Sequence, residues 1–283
     1  MASYAAGISP VITTTAGSVA VSSFTANTTF YFSLDTSSAT NGNPGYHRDD
    51  SNNVLGAFYG NPVAVVGVSS SALAFDGTTA DFVNFDKNAL VAAAGDYVYW
   101  EAFVSSAGSV QFPTGAPLRE IIISADSVSS VNDGMLYVSS ATRFAGARIE
   151  NTLGAIDISS GPLVMDGSFH HIAFAKRGAS GGLFELYVDG VLVSSKQMDR
   201  DYPISASART ARIASLLSGD EFFGIIDEAS AIMGPNSTDI PTSAGISDRA
   251  VRYAGGTQTT TLSTAIKASQ RIVPSAAGSA IVR

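Results

Sequence analysis

The acidic residues of this chain do not show a spacing that supports acid–base catalysis on a β-strand. Side chains two positions apart on a strand point to the same face, so a catalytic pair of carboxylates on one strand needs that spacing. No glutamate is followed two positions later by an aspartate, and the nearest acidic group, Glu221 with Asp227 and Glu228, is spaced differently. We therefore predict no catalytic residues and a protein that is not an enzyme.

The only histidines are His47, His170 and His171. His170 and His171 are adjacent in a segment that alternates like a strand, so their rings should point to opposite faces and cannot hold one metal ion together. A serine hydrolase would need a histidine beside a serine on a strand-to-helix elbow, which we do not expect here. We interpret the histidines as packed or hydrogen-bonded structural residues.

Residues 41–50 are the best candidate for a ligand-binding loop. Their tyrosine, arginine, asparagine and aspartate side chains can hold a sugar by ring stacking and directed hydrogen bonds. The predicted ligand-binding residues are Tyr46, His47, Arg48, Asp49 and Asp50. Loops of this composition also occur as ordinary connections, and the single tryptophan, Trp100, lies on a predicted core strand, so no aromatic platform is evident.

Composition excludes several functional classes. The chain has no cysteine, which excludes a disulfide-stapled scaffold, a zinc ribbon and a thiol nucleophile. Its net charge of −8 disfavours a nucleic-acid-binding role. No apolar stretch approaches the ~20 residues of a membrane span, and we expect no signal peptide, because the first basic residue is Arg48. The prediction is a protein made in a cytoplasm, without nucleic-acid or membrane partners.

The two ends of the chain differ from the middle. Residues 1–29 carry no charge and are β-prone between positions 11 and 23, so we expect this arm to join a sheet or to lie against another subunit. From position 236 onward there are five basic and two acidic residues, so this tail is +3 and the rest of the chain −11. The C-terminal arm, residues 234–283, should contain one helix over 247–254, with Ser247 as N-cap and Gly255 as the stop.

Between the arms, short alternating segments separated by turns predict an all-β, antiparallel domain over residues 30–233. The clearest unit is a hairpin around Asp189-Gly190, a favoured two-residue turn. Pairing Val188 with Val191 puts five apolar side chains on one face and two, Glu185 and Tyr187, on the other. The five are Phe184, Leu186, Val188, Val191 and Val193.

Several segments, in order, resemble the laminin-G-like, concanavalin-A-like lectin/glucanase superfamily. They are Tyr-Phe-Ser-Leu-Asp at 31–35, Asn-Asn-Val-Leu-Gly-Ala-Phe-Tyr-Gly at 52–60, Ser-Ala-Leu-Ala-Phe-Asp-Gly at 71–77, the strand at 97–103, Asp-Gly-Ser-Phe-His-His-Ile-Ala at 166–173, Tyr-Val-Asp-Gly at 187–190 and Gly-Ile-Ile-Asp-Glu at 224–228. Phe169 stands where the family usually has tryptophan. The resemblance implies a jelly-roll β-sandwich of two antiparallel sheets.

The resemblance also sets expectations for chemistry. Glucanases of this superfamily carry a Glu-x-Asp-x-x-Glu strand, which this chain lacks. Some laminin-G-like domains bind calcium through loop aspartates, so Asp49, Asp50, Asp76 and Asp81 are the candidate ligands. Asp76 and Asp81 are the residual calcium candidates, although a turn-stabilising role explains Asp76 more simply. Otherwise we predict no metal and no cofactor.

Three functions remain for such a sandwich, because this fold serves many. The leading hypothesis is a bacteriophage virion protein, such as a capsid decoration, head-fibre or tail component. It would assemble through its arms with copies of itself, with a trimer as the working guess, and with other virion proteins such as the major capsid protein. The alternative is a glycan-binding adhesin or receptor-binding module, and a divergent glycanase comes third.

Overall fold

The computed structural model describes residues 11–13, 28–32, 34, 46–48, 55–60, 62–68, 71–77, 81–106, 119–127, 133–204, 208–216, 220–253 and 259–261. Within them, two antiparallel sheets pack face to face. Sheet I has the strand order β12-β11-β10-β9-β16-β7-β4-β3 and sheet II the order β15-β14-β13-β8-β17-β6-β5, with β2 also paired to β17. The jelly-roll sandwich expected from the sequence is confirmed.

The strands of sheet I are β3 Tyr46–Arg48, β4 Leu55–Tyr59, β7 Phe82–Phe85, β9 Arg119–Ser127, β10 Asp133–Ser139, β11 Phe144–Asn151, β12 Gly154–Leu163 and β16 Ala208–Ile213. Those of sheet II are β2 Thr28–Phe32, β5 Val63–Val66, β6 Ser71–Asp76, β8 Tyr97–Ser105, β13 His170–Arg177, β14 Leu183–Val188, β15 Val191–Gln197 and β17 Phe223–Gly234. Helix α1 spans Ser243–Tyr253, and a short 3-10 helix spans Lys87–Leu90. A separate pair joins β1 Val11–Thr13 to β18 Thr259–Thr261.

The core lies between the inner faces of the two sheets, where alternate residues of each strand meet. Trp100 is fully buried there, as predicted, with its ring centroid 5.0 Å from that of Phe174. Each large aromatic side chain buried in this way contributes about 2–3 kcal/mol of transfer free energy. Trp100 therefore stabilises the core and is not available to bind a ligand.

The predicted hairpin forms at Asp189 and Gly190, which both have positive φ, +50° and +75°, as a type I′ turn requires. Val188 pairs with Val191, as expected, and a β-bulge interrupts the register before Leu186 pairs with Ser194. Val191 lies on the edge strand β15 and is 63% exposed, whereas Val188, with which it pairs, is buried.

Helix α1 begins earlier than the sequence predicted. Thr242 is the capping residue, since its Oγ1 accepts from the Gly245 amide at 3.2 Å. Ser247, the predicted N-cap, lies inside the helix and donates from Oγ to the Gly190 carbonyl at 2.6 Å. The predicted stop, Gly255, lies outside the described residues. Because Ile246 and Ala250 are buried, α1 covers part of the outer face of sheet II.

Candidate functional site

An aromatic side chain stands open on the outer face of sheet I, the face turned away from sheet II. Tyr59 at the end of β4 is 47% exposed and stacks on Phe82 of β7, with ring centroids 4.6 Å apart and planes 13° apart. On the next strand, the Arg212 guanidinium lies 4.2 Å from the centroid of the Phe82 ring. Three neighbouring strands thus present a tyrosine, a phenylalanine and an arginine on the same face, with Tyr59 paired to Phe82 and Arg212 in the adjacent cross-strand row.

The alternation of side chains along each strand places these residues on the outer face of sheet I. Val83 and Phe85 of β7 point into the core, as do Ala211 and Ile213 of β16, so the residues between them point outward. Asn84 is one of these outward residues, and its Oδ1 is buried without a hydrogen-bond donor among the described residues. We call Tyr59, Phe82, Asn84 and Arg212 the aromatic patch.

A loop after β16 forms one wall of the aromatic patch. The Ser124 hydroxyl donates to the Ser215 carbonyl at 2.8 Å, which fixes the loop on the outer face of β9. Arg212 Nη1 lies 3.5 Å from Ser215 Oγ, at the boundary between this loop and the patch. Leu216 then packs over a buried apolar group formed by Ile121, Met135 and Tyr137. The patch is therefore walled on the β9 side, while Tyr59 remains open to solvent.

The structure places part of the predicted ligand-binding segment beside this patch. Strand β3, which carries Tyr46, His47 and Arg48, is the edge strand of sheet I and pairs with β4. In register, Tyr46 pairs with Ala57, Ala57 with Asn84, and Asn84 with Arg212. Tyr46 therefore belongs to the same cross-strand row as two patch residues.

The other predicted site residues do not lie at the aromatic patch in the described structure. Asp49 and Asp50 lie outside the described residues. Asp76 ends β6 in sheet II and is exposed, whereas Asp81 is buried and directly precedes β7 of sheet I. Across the described part of the chain, no group of three or more histidine or acidic side chains is arranged to hold a metal ion. The calcium hypothesis gains no support from Asp76 and Asp81.

A second cluster of chemically capable residues lies on the outer face of sheet II, beneath α1. The Glu101 carboxylate accepts hydrogen bonds from Tyr99 Oη at 2.6 Å, His171 Nε2 at 2.9 Å and Ser230 Oγ at 2.8 Å. It also forms an ion pair with Arg249 of α1. Burial acts to raise the pKa of Glu101, but Arg249 and His171 hold it well below its ordinary value. This carboxylate is ionised and saturated with donors, as in a structural anchor.

Glu228 lies next to this cluster on a β-bulge of β17, and its φ is +52°. Its side chain is buried, and its Oε2 has no hydrogen-bond donor among the described residues. Burial raises its pKa to about 8, against the lowering effect of Arg249. Glu228 is therefore protonated at neutral pH, while Glu101 is ionised.

The two adjacent histidines do point to opposite faces, as predicted. His170 Nδ1 lies 2.8 Å from Asp189 Oδ2 and its Nε2 3.2 Å from Asp166 Oδ1, at the rim of sheet II. These carboxylates, with Asp189 first, raise the pKa of His170, although burial opposes them. His171 is bound to Glu101, so each imidazole is held by carboxylates of the protein.

The sequence does contain one Gly-x-Ser-x-Gly pattern, at residues 178–182. It joins the antiparallel strands β13 and β14, whereas a nucleophile elbow joins a strand to a helix. Ser180 Oγ donates to the Asp199 carbonyl at 3.1 Å, so the hydroxyl stabilises the loop. The geometry does not match that of a hydrolase nucleophile.

A shallow cleft of about 280 Å³ lies between the β11–β12 turn and the end of β15. Its polar side chains bind one another: Arg200 donates to Asp199 at 2.7 Å, and Tyr202 donates to the same carboxylate at 2.8 Å. Because these groups are already paired, the cleft offers fewer free contacts to a ligand than the aromatic patch.

Comparison with known proteins agrees with this architecture. Residues 110–232 match the family model described as the concanavalin A-like lectin/glucanases superfamily. The two-sheet sandwich has a concanavalin A-like fold. No curated protein sequence matches the chain.

Solved structures share the fold at low sequence identity. The binding domain of Paraclostridial Mosquitocidal Protein 1 superposes with a TM-score of 0.60 at 12% identity, over 80% of this chain and 52% of that one. The binding domain of Botulinum Neurotoxin DC, in complex with SialylT, gives 0.56 at 12% identity, over 81% and 52%. This concanavalin A-like chain thus spans about half the length of the toxin binding domains.

One similar structure is matched over nearly its whole length. Domain 4 of AbnA, an extracellular arabinanase from Geobacillus stearothermophilus, was solved in complex with arabinotriose. It superposes with a TM-score of 0.55 at 15% identity, over 79% of this chain and 98% of that domain. At this identity the likeness establishes the fold alone.

The sequence predicted residues of the edge strand beside the candidate site but not its aromatic centre. The alternation of Phe58 and Tyr59 was a usable signal, since one of two adjacent aromatic residues on a strand must face outward. Nothing in the sequence indicates that Phe82 and Arg212 lie beside Tyr59, because β4, β7 and β16 become neighbours only through the sheet topology.

Proposed function

We propose that this chain is a non-catalytic glycan-binding module and that the saccharide binds on the aromatic patch. The observation that carries the proposal is the open Tyr59 ring, held rigidly by its stack on Phe82 and flanked by polar side chains. Sugars present flat C–H faces that pack on aromatic rings and hydroxyls that bond to polar groups. An aromatic surface with a few placed polar side chains meets both needs.

Polar groups beside Tyr59 can orient a saccharide that stacks on its ring. Arg212 presents N–H donors beside the Phe82 ring, whereas the Oδ1 of Asn84 is buried beneath the patch. The predicted residue Tyr46 belongs to the same cross-strand row as Asn84 and Arg212, on the edge strand β3. With a single open ring, the affinity should be modest, with a dissociation constant on the order of 0.1–1 mM, or about −4 to −5.5 kcal/mol.

Two similar structures are compatible with this proposal. The AbnA domain was solved with arabinotriose, and one neurotoxin binding domain was solved with SialylT. Both show that sandwiches of this architecture occur in sugar-bound structures. Since this chain spans only half of the toxin domain, the AbnA domain is the more relevant precedent.

The absence of catalysis is part of the proposal. Glu101, Glu120 and Glu228 are all buried, and Arg249 of α1 lies against Glu101, so a polysaccharide has no access to these carboxyl groups. The carboxylate oxygens of Glu101 are also already bound to four protein side chains. An unbiased polysaccharide hydrolysis screen should therefore detect no released reducing ends, and release that is lost in Glu101→Gln would contradict this part.

A glycan array with the full-length chain tests the binding proposal. We expect binding to a restricted set of glycans that is lost in Tyr59→Ala. The control is Val66→Ala, which truncates an apolar side chain that is even more exposed, 83% against 47% for Tyr59, at the edge of sheet II. A blank array at high protein concentration, or binding that Tyr59→Ala leaves intact, would refute the proposed site.

The second candidate function is a bacteriophage virion component that assembles through its terminal segments. It is favoured by the antiparallel pairing of β1 with β18, which joins one uncharged, β-prone segment from each arm in one small sheet. Neither strand pairs with a third one among the described residues, and strands from another copy can add to the two edges of such a sheet. In this proposal the chain is made in a host cytoplasm and becomes part of the particle, beside the major capsid protein.

Solution mass by light scattering tests this second candidate. The full chain should form a discrete oligomer, and Ile12→Pro should convert it to monomers, because proline removes a strand hydrogen bond from β1. A monomeric full-length chain would exclude assembly through these strands. Both functions can hold together, because a particle-bound module can also bind surface glycans.

A further inference from the structure

We infer that strand β1 of one copy adds to the open edge of β5 in a second copy, so that two different surfaces of the chain join neighbouring copies. This inference rests on the second candidate function, assembly through the terminal segments, and names the surface that those segments contact. It follows from two uncharged strands, β1 and β5, that each have one unpaired edge among the described residues.

Strand β5 is the terminal strand of sheet II, and it pairs only with β6 among the described residues. In an antiparallel pair, alternate residues direct their amide and carbonyl groups away from the partner strand, so β5 presents main-chain donors and acceptors at the sheet edge. Its side chains are exposed as well, since Val63 is 57% accessible and Val66 83%. An exposed apolar edge of this kind is a place where another strand can add.

The other three terminal strands carry features that oppose strand addition. Strand β3 contains Arg48, and β15 contains Lys196 and a β-bulge in its pairing with β14. Strand β12 contains Asp157 and Pro162, and its pairing with β11 is also irregular. Strand β5 has none of these features, because its sequence is Val-Ala-Val-Val and its register with β6 shows no shift. Pro62 stands just before the strand, so every residue of β5 keeps its amide hydrogen.

The pair formed by β1 and β18 is incomplete in a complementary way. Each of its strands is three residues long, and the two form a separate sheet. An isolated two-stranded sheet is marginally stable at best in water, and a third strand adds the hydrogen bonds that it lacks. Within one chain this pair is not joined to β5, so the β5 strand that it contacts belongs to a second copy.

The sequences of β1 and β5 are compatible with each other. Strand β1 reads Val-Ile-Thr and all four residues of β5 are apolar, so cross-strand pairs of β-branched side chains can form between them. Both strands lie in long uncharged stretches, residues 1–34 and 51–75. Two chains of net charge −8 can therefore meet here without bringing charged side chains into the contact.

The contact is heterologous, because the donor strand and the acceptor edge are different surfaces of the same chain. Each copy donates β1 to one neighbour and accepts β1 from another on its own β5, which produces a closed ring or an open fibre. Since the second candidate function predicts a discrete oligomer, a closed ring is the expected product.

The solution mass of two edge variants tests the inference. Val66→Lys places a charge on the exposed edge of β5 at a position that is 83% accessible, and it should convert the oligomer to monomers, as Ile12→Pro should. The matched control is Val191→Lys on the protected edge strand β15, which changes a 63% exposed valine in the same way and should keep the mass of the wild type. An oligomer that Ile12→Pro dissociates and Val66→Lys leaves intact would overturn the inference, because β1 would then contact another surface, while the second candidate function would stand.

An equimolar mixture of the two monomeric variants separates the remaining alternatives. Val66→Lys retains an intact β1 and Ile12→Pro an intact β5, so the mixture should form one species of twice the chain mass that cannot grow further. A mixture that stays monomeric would overturn the inference. Dissociation by Val66→Lys with Ile12→Pro still oligomeric would overturn it too, because β5 would then pair with itself. If the wild-type chain is monomeric, assembly through the terminal segments fails, and the inference fails with it.

Discussion

Replacing Glu228 by glutamine should stabilise this protein at neutral pH, although the residue is buried in the centre of a sheet. The native carboxyl is 4% exposed, and its Oε2 has no donor among the described residues. Glutamine has nearly the same shape and cannot ionise. The substitution therefore removes the cost of keeping a proton on a buried acid and changes little else.

The magnitude follows from the pKa, which burial raises from 4.5 to about 8. Between these values the folded chain holds a proton that the unfolded chain has released, so stability falls as pH rises through this window. At pH 7 the gap from 4.5 is about two and a half pKa units, each about 1.4 kcal/mol, which gives a penalty of about 3 kcal/mol. Below pH 4.5 both states are protonated and the penalty disappears.

Urea denaturation of the wild type and Glu228→Gln at several pH values between 4 and 8 measures this difference. We expect equal stability near pH 4 and a gain of about 3 kcal/mol at pH 7, or roughly 6–12 °C in melting temperature. Asp248→Asn, on the exposed side of α1, is the control and should show no such pH trend. A variant that is less stable than the wild type at pH 7 would refute the reasoning, because it would mean that the ionised carboxylate is needed.

Three further substitutions test the packing. Arg249→Met should lower the free energy of unfolding by about 3 kcal/mol above pH 5, because Glu101 stays buried and charged without its partner. Since the pKa of Glu101 is lowered in the folded state, this loss of stability should shrink at more acidic pH, and urea denaturation measures both effects. Gly146→Ala should cost about 1–3 kcal/mol, because the new Cβ would lie 2.3 Å from Cζ of Tyr137. By contrast, Gly245→Ala in the first turn of α1 meets nothing closer than 3.4 Å and should stabilise by about 0.5 kcal/mol in the same assay. A destabilised Gly245→Ala or a neutral Gly146→Ala would contradict the packing described.

Local patterns were enough to predict the architecture. The Asp189-Gly190 turn fixes two strands and their pairing, and the alternation around His171 fixes which side chains leave the core. The start of α1 was misplaced, because Thr242 and Ser247 are equally good capping residues by type. The choice between them depends on where the helix meets sheet II, which is tertiary information.

The candidate site was predictable only in part. Residues 46–48 were selected by composition, and they do form the edge of sheet I. Tyr59 and Arg212 were missed because they are 153 positions apart in sequence and meet only when β4, β7 and β16 come together. The buried charge of Glu101 could not be predicted from the sequence either, because its partner Arg249 belongs to a helix that packs across the sheet.

A crystal structure with a neutral trisaccharide such as arabinotriose tests the central claim most directly. The proposed function predicts a sugar ring stacked on the open face of Tyr59, with a hydroxyl within hydrogen-bond distance of Arg212. The same crystals of Tyr59→Ala should show no sugar there. A saccharide bound in the cleft beside Arg200, with the Tyr59 ring left empty, would contradict the assignment of the aromatic patch as the binding site.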